Sequence, residues 1–85
     1  MKLKLVYFAW IRDKIGKAEE VVEVDQAVKT ITDLVNWLRT HSDVYADAFT
    51  DMSTVRCAIN LDYVIADAVL SEGDEVGFFP PVTGG

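Results

Sequence analysis

The run from Lys2 to Ile11 alternates with a period of two, and this constrains the fold more than any other feature of the chain. Leu3, Leu5, Tyr7, Ala9 and Ile11 fall on one face, and Lys2, Lys4, Val6, Phe8 and Trp10 on the other. The lysines mark the second face as solvent-directed at its start, so the segment reads as a half-buried strand. Such a strand needs a layer over its apolar face. Ile31, Leu34, Val35 and Leu38 supply one, recurring at i, i+3, i+4 and i+7 on a single helical stripe. Thr30 is placed to cap that helix, with Asp33 three residues on in the position of a capping box. Arg39 and His41 near its end complement the helix dipole.

The remaining segments fill in the sheet. Arg12 to Lys17 holds Gly16 and reads as a turn, and Glu19 to Val24 is a β-rich run able to pair back as a hairpin. Asp43 to Phe49 predicts a short second helix. Thr54 to Leu61 alternates again, with Val55, Cys57, Ile59 and Leu61 facing one way and Arg56, Ala58 and Asn60 the other. Asn60-Leu61-Asp62 is turn-prone, Val64-Ile65 a short strand, and Ser71 to Asp74 with Gly73 a turn. In the final strand Val76 and Phe78 oppose Glu75, Gly77 and Phe79. The order β-β-α-(α)-β-(β)-β predicts an α+β domain, one main helix on a mixed sheet. A β-grasp closure sets the first and last strands side by side. Residues 1–79 form this domain and residues 80–85 an extended C-terminal tail.

Composition narrows what such a domain can do. With 85 residues there is room for one core, burying about 60–65 % of the surface of the unfolded chain. Acids outnumber bases 14 to 8, which argues against a footprint on nucleic acid or an anionic membrane. No segment has the length of a transmembrane helix, and no signal peptide is recognisable. Cys57 and His41 are the only thiol and imidazole. They exclude an intramolecular disulfide, a Cys-rich zinc site and an iron–sulfur cluster, and they fit a reducing, cytoplasmic setting. Cys57 lies on an apolar strand face, as a buried inert thiol would. His41 reads as a solvated helix-end residue, and Trp37 sits one position off the helix stripe. There is no nucleophile–base pair, no metal-ligand set and no phosphate-binding Gly-rich loop, so no cofactor is expected on the chain.

The tail is different. After Phe79 the chain reads Pro80-Pro81-Val82-Thr83-Gly84-Gly85. The prolines remove two backbone donors, which bars a central strand, and they hold φ near the polyproline II value. At ~3.1 Å per residue, six extended residues reach roughly 19 Å. Gly84 and Gly85 carry no side chains, so their backbone can enter a channel too narrow for any Cβ. The group delivered at the far end is the α-carboxylate of Gly85. Adenylation by ATP would make it an electrophile, and a persulfide-type sulfur could then convert it to a thiocarboxylate. The ATP site and the sulfur source must both come from partners.

The string Gly73-Asp74-Glu75-Val76-Gly77-Phe78-Phe79-Pro80-Pro81-Val82-Thr83-Gly84-Gly85 closely resembles the C-terminus of the small, sulfur-carrying subunits of molybdopterin synthase. Tyr7-Phe8-Ala9-Trp10-Ile11-Arg12-Asp13 resembles the opening strand of that family. The resemblance implies a ubiquitin-like β-grasp protein, inactive alone, whose C-terminal glycine, here Gly85, is adenylated by a ubiquitin-activating-like enzyme using ATP. It implies a covalent thiocarboxylate on Gly85. It also implies insertion of Pro80, Pro81, Val82, Thr83 and Gly84 into the large synthase subunit, where sulfur passes to the pterin precursor in molybdenum cofactor biosynthesis. The assembly implied is a heterotetramer of two large and two small subunits.

Two other readings stay open on the residues. One is a sulfur carrier for another pathway, such as thiamine or tRNA thiolation; the other is a β-grasp binding module without sulfur chemistry. If the first and last strands are neighbours, Val6, Phe8, Trp10 and Phe79 form an apolar patch at the root of the tail, with Tyr63 beside it, and such a patch marks a partner interface.

Overall fold

In the computed structural model, which describes residues 1–81, the alternating strand stops at Tyr7. β1 (Lys2–Tyr7) is followed at once by α1 (Ala9–Ile15). This corrects both the strand expected to reach Ile11 and the turn expected from Arg12. Ile11 satisfies two periods at once: two-residue alternation from Tyr7, and i, i+4 spacing to Ile15. Both isoleucines are buried on the inner side of α1. Gly16, at φ 85°, ends the helix by donating its N–H to the Arg12 carbonyl, a left-handed C-cap that favours glycine.

β2 (Glu19–Glu23) pairs antiparallel with β1, the expected hairpin partner. α2 (Ile31–His41) starts where the sequence places it. The Thr30 side chain accepts from the Asp33 N–H, and the Asp33 carboxylate accepts from the Thr30 and Lys29 N–H groups. Those backbone donors hold the Asp33 carboxyl below its usual range. The stripe residues Ile31, Leu34, Val35 and Leu38 are all buried. The short helix α3 (Asp43–Ala48) opens with Ser42 accepting from the Val44 N–H. A 3₁₀ turn over Met52–Thr54 leads into β3 (Arg56–Ile59), and a two-residue turn joins it to β4 (Asp62–Val64). Leu61, expected on the core face of β3, instead occupies that turn and is 85 % exposed. β5 (Glu75–Phe79) closes the sheet.

The strand order is β2-β1-β5-β3-β4. β1 and β5 run parallel at the centre, with Leu5 opposite Val76 and Tyr7 opposite Phe78, and the other pairs are antiparallel. First and last strands are thus neighbours, the β-grasp closure. One face of this sheet shares a continuous core with the helices: Leu3, Leu5, Tyr7, Cys57, Val76 and Phe78 below, the α2 stripe, Ile11, Ala48 and Phe49 above. Aromatic rings fill its middle, with Phe78 5.0 Å from Phe49 and 5.9 Å from Tyr7, centroid to centroid.

Tyr7 has a polar end that needs a partner once buried. Its hydroxyl donates to Glu20 Oε2 at 2.6 Å, and Tyr45 of α3 donates to the same oxygen at 2.6 Å. Lys17 Nζ lies 3.3 Å from the other oxygen. One carboxylate thereby ties β1, β2 and α3 together. Burial pushes the Glu20 carboxyl upward, but the two phenols and the ammonium outweigh it and hold it below its usual range. Burial, reinforced by that carboxylate, pushes the Tyr7 phenol far above its ordinary value.

Candidate functional site

No helix or strand among the described residues covers the opposite face of the sheet, and its register explains the shape it takes. In one row across the strands, Val6 of β1 pairs with Gly77 of β5, Gly77 with Ala58 of β3, and Ala58 with Tyr63 of β4. The two inner positions of that row carry a hydrogen and a methyl group. Bulk is confined to the flanks. The result is a groove of about 490 Å³ bounded by Phe8, Leu61, Tyr63 and Phe79, running along β5 from Glu75 to Pro80. A Cβ on Gly77 would lie 3.4 Å from Phe8 Cε2, at contact distance, so the Phe8 ring leans over this position of the sheet.

Phe8 reaches this position through the backbone. Its N–H donates to the Phe78 carbonyl, which continues the β1–β5 ladder by one residue. Ala9 then turns the chain out of the sheet at φ 53°. Phe8 stays 48 % exposed on the open face while Ile11 goes into the core. On the far flank Tyr63, 79 % exposed, packs against Phe79 with ring centroids 5.3 Å apart. Lys4 sits between Glu19 and Glu75, 3.7 Å from each, so the groove has a paired, charged border at its Glu75 end. Pro80 lines the other end, and the tail leaves from there.

Of the residues expected in an apolar patch, Val6, Phe8, Tyr63 and Phe79 are brought together. Trp10 is not. The strand alternation that assigned it to this face ends at Tyr7, and α1 carries Trp10 to a half-buried position against the core. Leu61 is the residue that sequence reading missed, because the alternation of β3 was carried one step into the turn. The signal for it was present in Asn60, which favours the left-handed conformation that begins such turns. Pro80 and Pro81 are half-buried at the root of the tail, while Val82, Thr83, Gly84 and Gly85 lie outside the described residues.

The side chains offer little chemistry. Cys57 is buried on the inner face, and burial raises its thiol to about 11 despite the pull of Arg56 beside it, so it is protonated at neutral pH and poorly nucleophilic. His41 is exposed at the end of α2, its ring tilted by 37° against that of half-buried Trp37, with centroids 3.8 Å apart. Among the described residues no three His, Cys, Asp or Glu side chains gather to hold a metal ion, and no helix is long and apolar enough to cross a membrane. What the arrangement can do is receive an apolar surface beside the point where the tail departs.

Comparison with known proteins bears on the fold and the family. Haloferax volcanii SAMP1 shares the fold over 100 % of both chains, with a TM-score of 0.78 at 21 % identity. Helicobacter pylori subunit 1 or 2 of molybdopterin-converting factor, solved as a protein–protein complex, has a chain of the same fold; TM-score 0.66, 17 % identity, 100 % of both chains covered. The Escherichia coli (strain K12) molybdopterin synthase sulfur carrier subunit is 37 % identical over 83 residues, 98 % of this chain and 99 % of that one. A model of the ThiS family matches residues 5–85, from the core of β1 through the final glycine. With a β-grasp sheet, an uncovered apolar groove at the root of its tail and a match over almost its full length, the chain belongs to the ThiS family, among the sulfur carrier subunits of molybdopterin synthase.

Proposed function

We propose that the reactive group of this carrier is the carboxylate of Gly85, and that the folded domain serves to present it. A separate ubiquitin-activating-like enzyme joins that carboxylate to AMP at the expense of ATP, releasing pyrophosphate. A persulfide-type sulfur displaces AMP, and cleavage of its S–S bond by a thiol leaves a terminal thiocarboxylate. Residues 80–85 then enter the large synthase subunit, where the thiocarboxylate sulfur attacks the pterin precursor; water then cleaves the resulting acyl–sulfur bond, so that the sulfur stays on the pterin and the chain leaves with its carboxylate restored. Two large and two small subunits form the working assembly, in the cytoplasm. The chain needs no bound cofactor for this, since ATP and the sulfur donor belong to its partners.

One observation carries the reading: Pro80 lines the same groove as Phe8 and Phe79. Whatever protein draws the tail into itself therefore comes to rest against that groove, which couples docking to delivery. Supporting it, the buried Cys57 thiol, raised to about 11, is unsuited to carry sulfur itself. Intact-mass spectrometry after incubation with ATP, a sulfur donor and the activating enzyme tests the scheme. The chain should gain the mass difference between one sulfur and one oxygen, and a variant lacking Gly85 should not. An unshifted intact chain would favour a binding module without sulfur chemistry. Supplying the charged chain to the large subunit and the pterin precursor then separates this pathway from thiamine or tRNA thiolation.

A further inference from the structure

Backbone strain in this molecule gathers around the groove. Among the described residues, three other than glycine have positive φ: Ala9 at 53°, Asn60 at 50° and Leu61 at 74°. Ala9 follows Phe8 directly, and Asn60-Leu61 is the two-residue turn between β3 and β4, closed by the pairing of Ile59 with Asp62. Positive φ at both central positions makes it a type I′ hairpin turn, for which Asn-Gly is the favoured pair. Asn60 meets that preference, and its side chain is anchored twice, donating to Asp74 Oδ1 at 2.9 Å and accepting from the Glu75 N–H at 3.0 Å. Leu61 does not meet it. A γ-branched side chain stands where glycine would be unstrained, and it is 85 % exposed, so it gains no core burial in return.

Neither turn chemistry nor packing accounts for a leucine here. Its position does, because Leu61 forms a wall of the groove beside Tyr63 and across the small residue Ala58. We propose that Leu61 is a specificity-determining docking residue, held at a conformational cost so that its side chain meets an apolar segment of the large synthase subunit. The occupant follows from the tail. Pro80 lines the same groove, so the protein that takes up residues 82–85 abuts Leu61 as well. This rests on the reading given under Proposed function, and it adds a contact that the β3–β4 turn supplies and the sheet strands do not.

The test is calorimetric titration of the full chain with purified large subunit, paired with thermal unfolding of each variant. Leu61→Gly relieves the strain, so its unfolding midpoint should equal or exceed that of the parent while its affinity falls about tenfold. Leu61→Asn, which tolerates the left-handed region without glycine's added freedom, should lose affinity similarly, and Leu61→Met should stay within about twofold of the parent. Unchanged affinity in Leu61→Gly and Leu61→Asn, with weakened binding by Phe79→Ala, would overturn the role of Leu61 and leave the carrier reading standing. A lowered midpoint for Leu61→Gly would overturn the strain on which the argument turns. Failure of the parent chain to bind the large subunit would remove the carrier's docking mode and this proposal with it.

Discussion

The two faces of the sheet are made by the same strands and obey opposite rules. On the inner face Leu3, Leu5, Tyr7, Val76 and Phe78 are packed to near-zero exposure, and their neighbours are helices of the same chain. On the outer face Val6, Gly77, Ala58 and Tyr63 sit in register one step away, with no helix or strand of the described residues above them. Consecutive residues therefore have different tasks. Phe78 holds the domain together, and Phe79 is available to something else. The difference teaches that large apolar residues in a small domain need not all serve the core: those on the uncovered face cost solubility and contribute little stability, which is the pattern of a surface kept for a partner.

The sharpest way to break this contrast is to truncate the adjacent phenylalanines. Phe78→Ala should cost about 3–5 kcal/mol in chemical denaturation, enough to unfold much of a domain this size. Phe79→Ala should cost no more than about 1 kcal/mol, yet weaken the large subunit's binding at least about tenfold. Equal stability losses for the two would erase the distinction between faces. Next in size is Glu20, which anchors Tyr7 and Tyr45. Glu20→Gln should destabilise by about 1–2 kcal/mol at neutral pH. The sign of its pH dependence follows from a folded carboxyl held below its unfolded value. Its stabilisation is fully present above the usual glutamate range and is lost as pH falls through the lower folded value. Acid titration of the parent should show that loss, and Glu20→Gln should flatten it.

Smaller effects refine the comparison. Cys57→Ala, on the inner face, should cost about 1 kcal/mol and leave sulfur transfer at the parental rate; loss of transfer would move the chemistry from the tail to a side chain. Ala9→Gly relieves a left-handed alanine but frees the unfolded chain, so it should change the free energy of unfolding by only about a few tenths of a kcal/mol. Any loss of partner affinity it causes would show that Ala9 acts by aiming Phe8.

Much of this was legible in the amino-acid order, for local reasons. The cap at Thr30 and the stripe from Ile31 to Leu38 depend on residues within a few positions of one another, and both stand as read. Val6, Phe8 and Phe79 were identified as one surface because strand alternation and the adjacency of first and last strands sufficed. The failures share a cause. After Tyr7 and after Ile59 the chain leaves a strand through positive φ, at Ala9 and at Asn60-Leu61, and a two-residue hydrophobic pattern continues through such a break unmarked. Trp10 was misplaced and Leu61 missed for that one reason. The tail was the reverse case, plain in sequence and independent of any pattern.

The parallel pairing of β1 with β5 has a consequence in time. These strands come from opposite ends of the chain, and bringing them together incurs the largest loop-closure entropy in the molecule before any contact repays it. α2 and the β1–β2 hairpin can assemble locally and early; the centre of the sheet closes late. Val6 and Phe8 belong to one of the two late-joining segments and Gly77, Phe79 and Pro80 to the other. A half-folded chain therefore has helices, a hairpin and a tail, but no groove. A partner that requires the groove would engage only chains whose folding is complete.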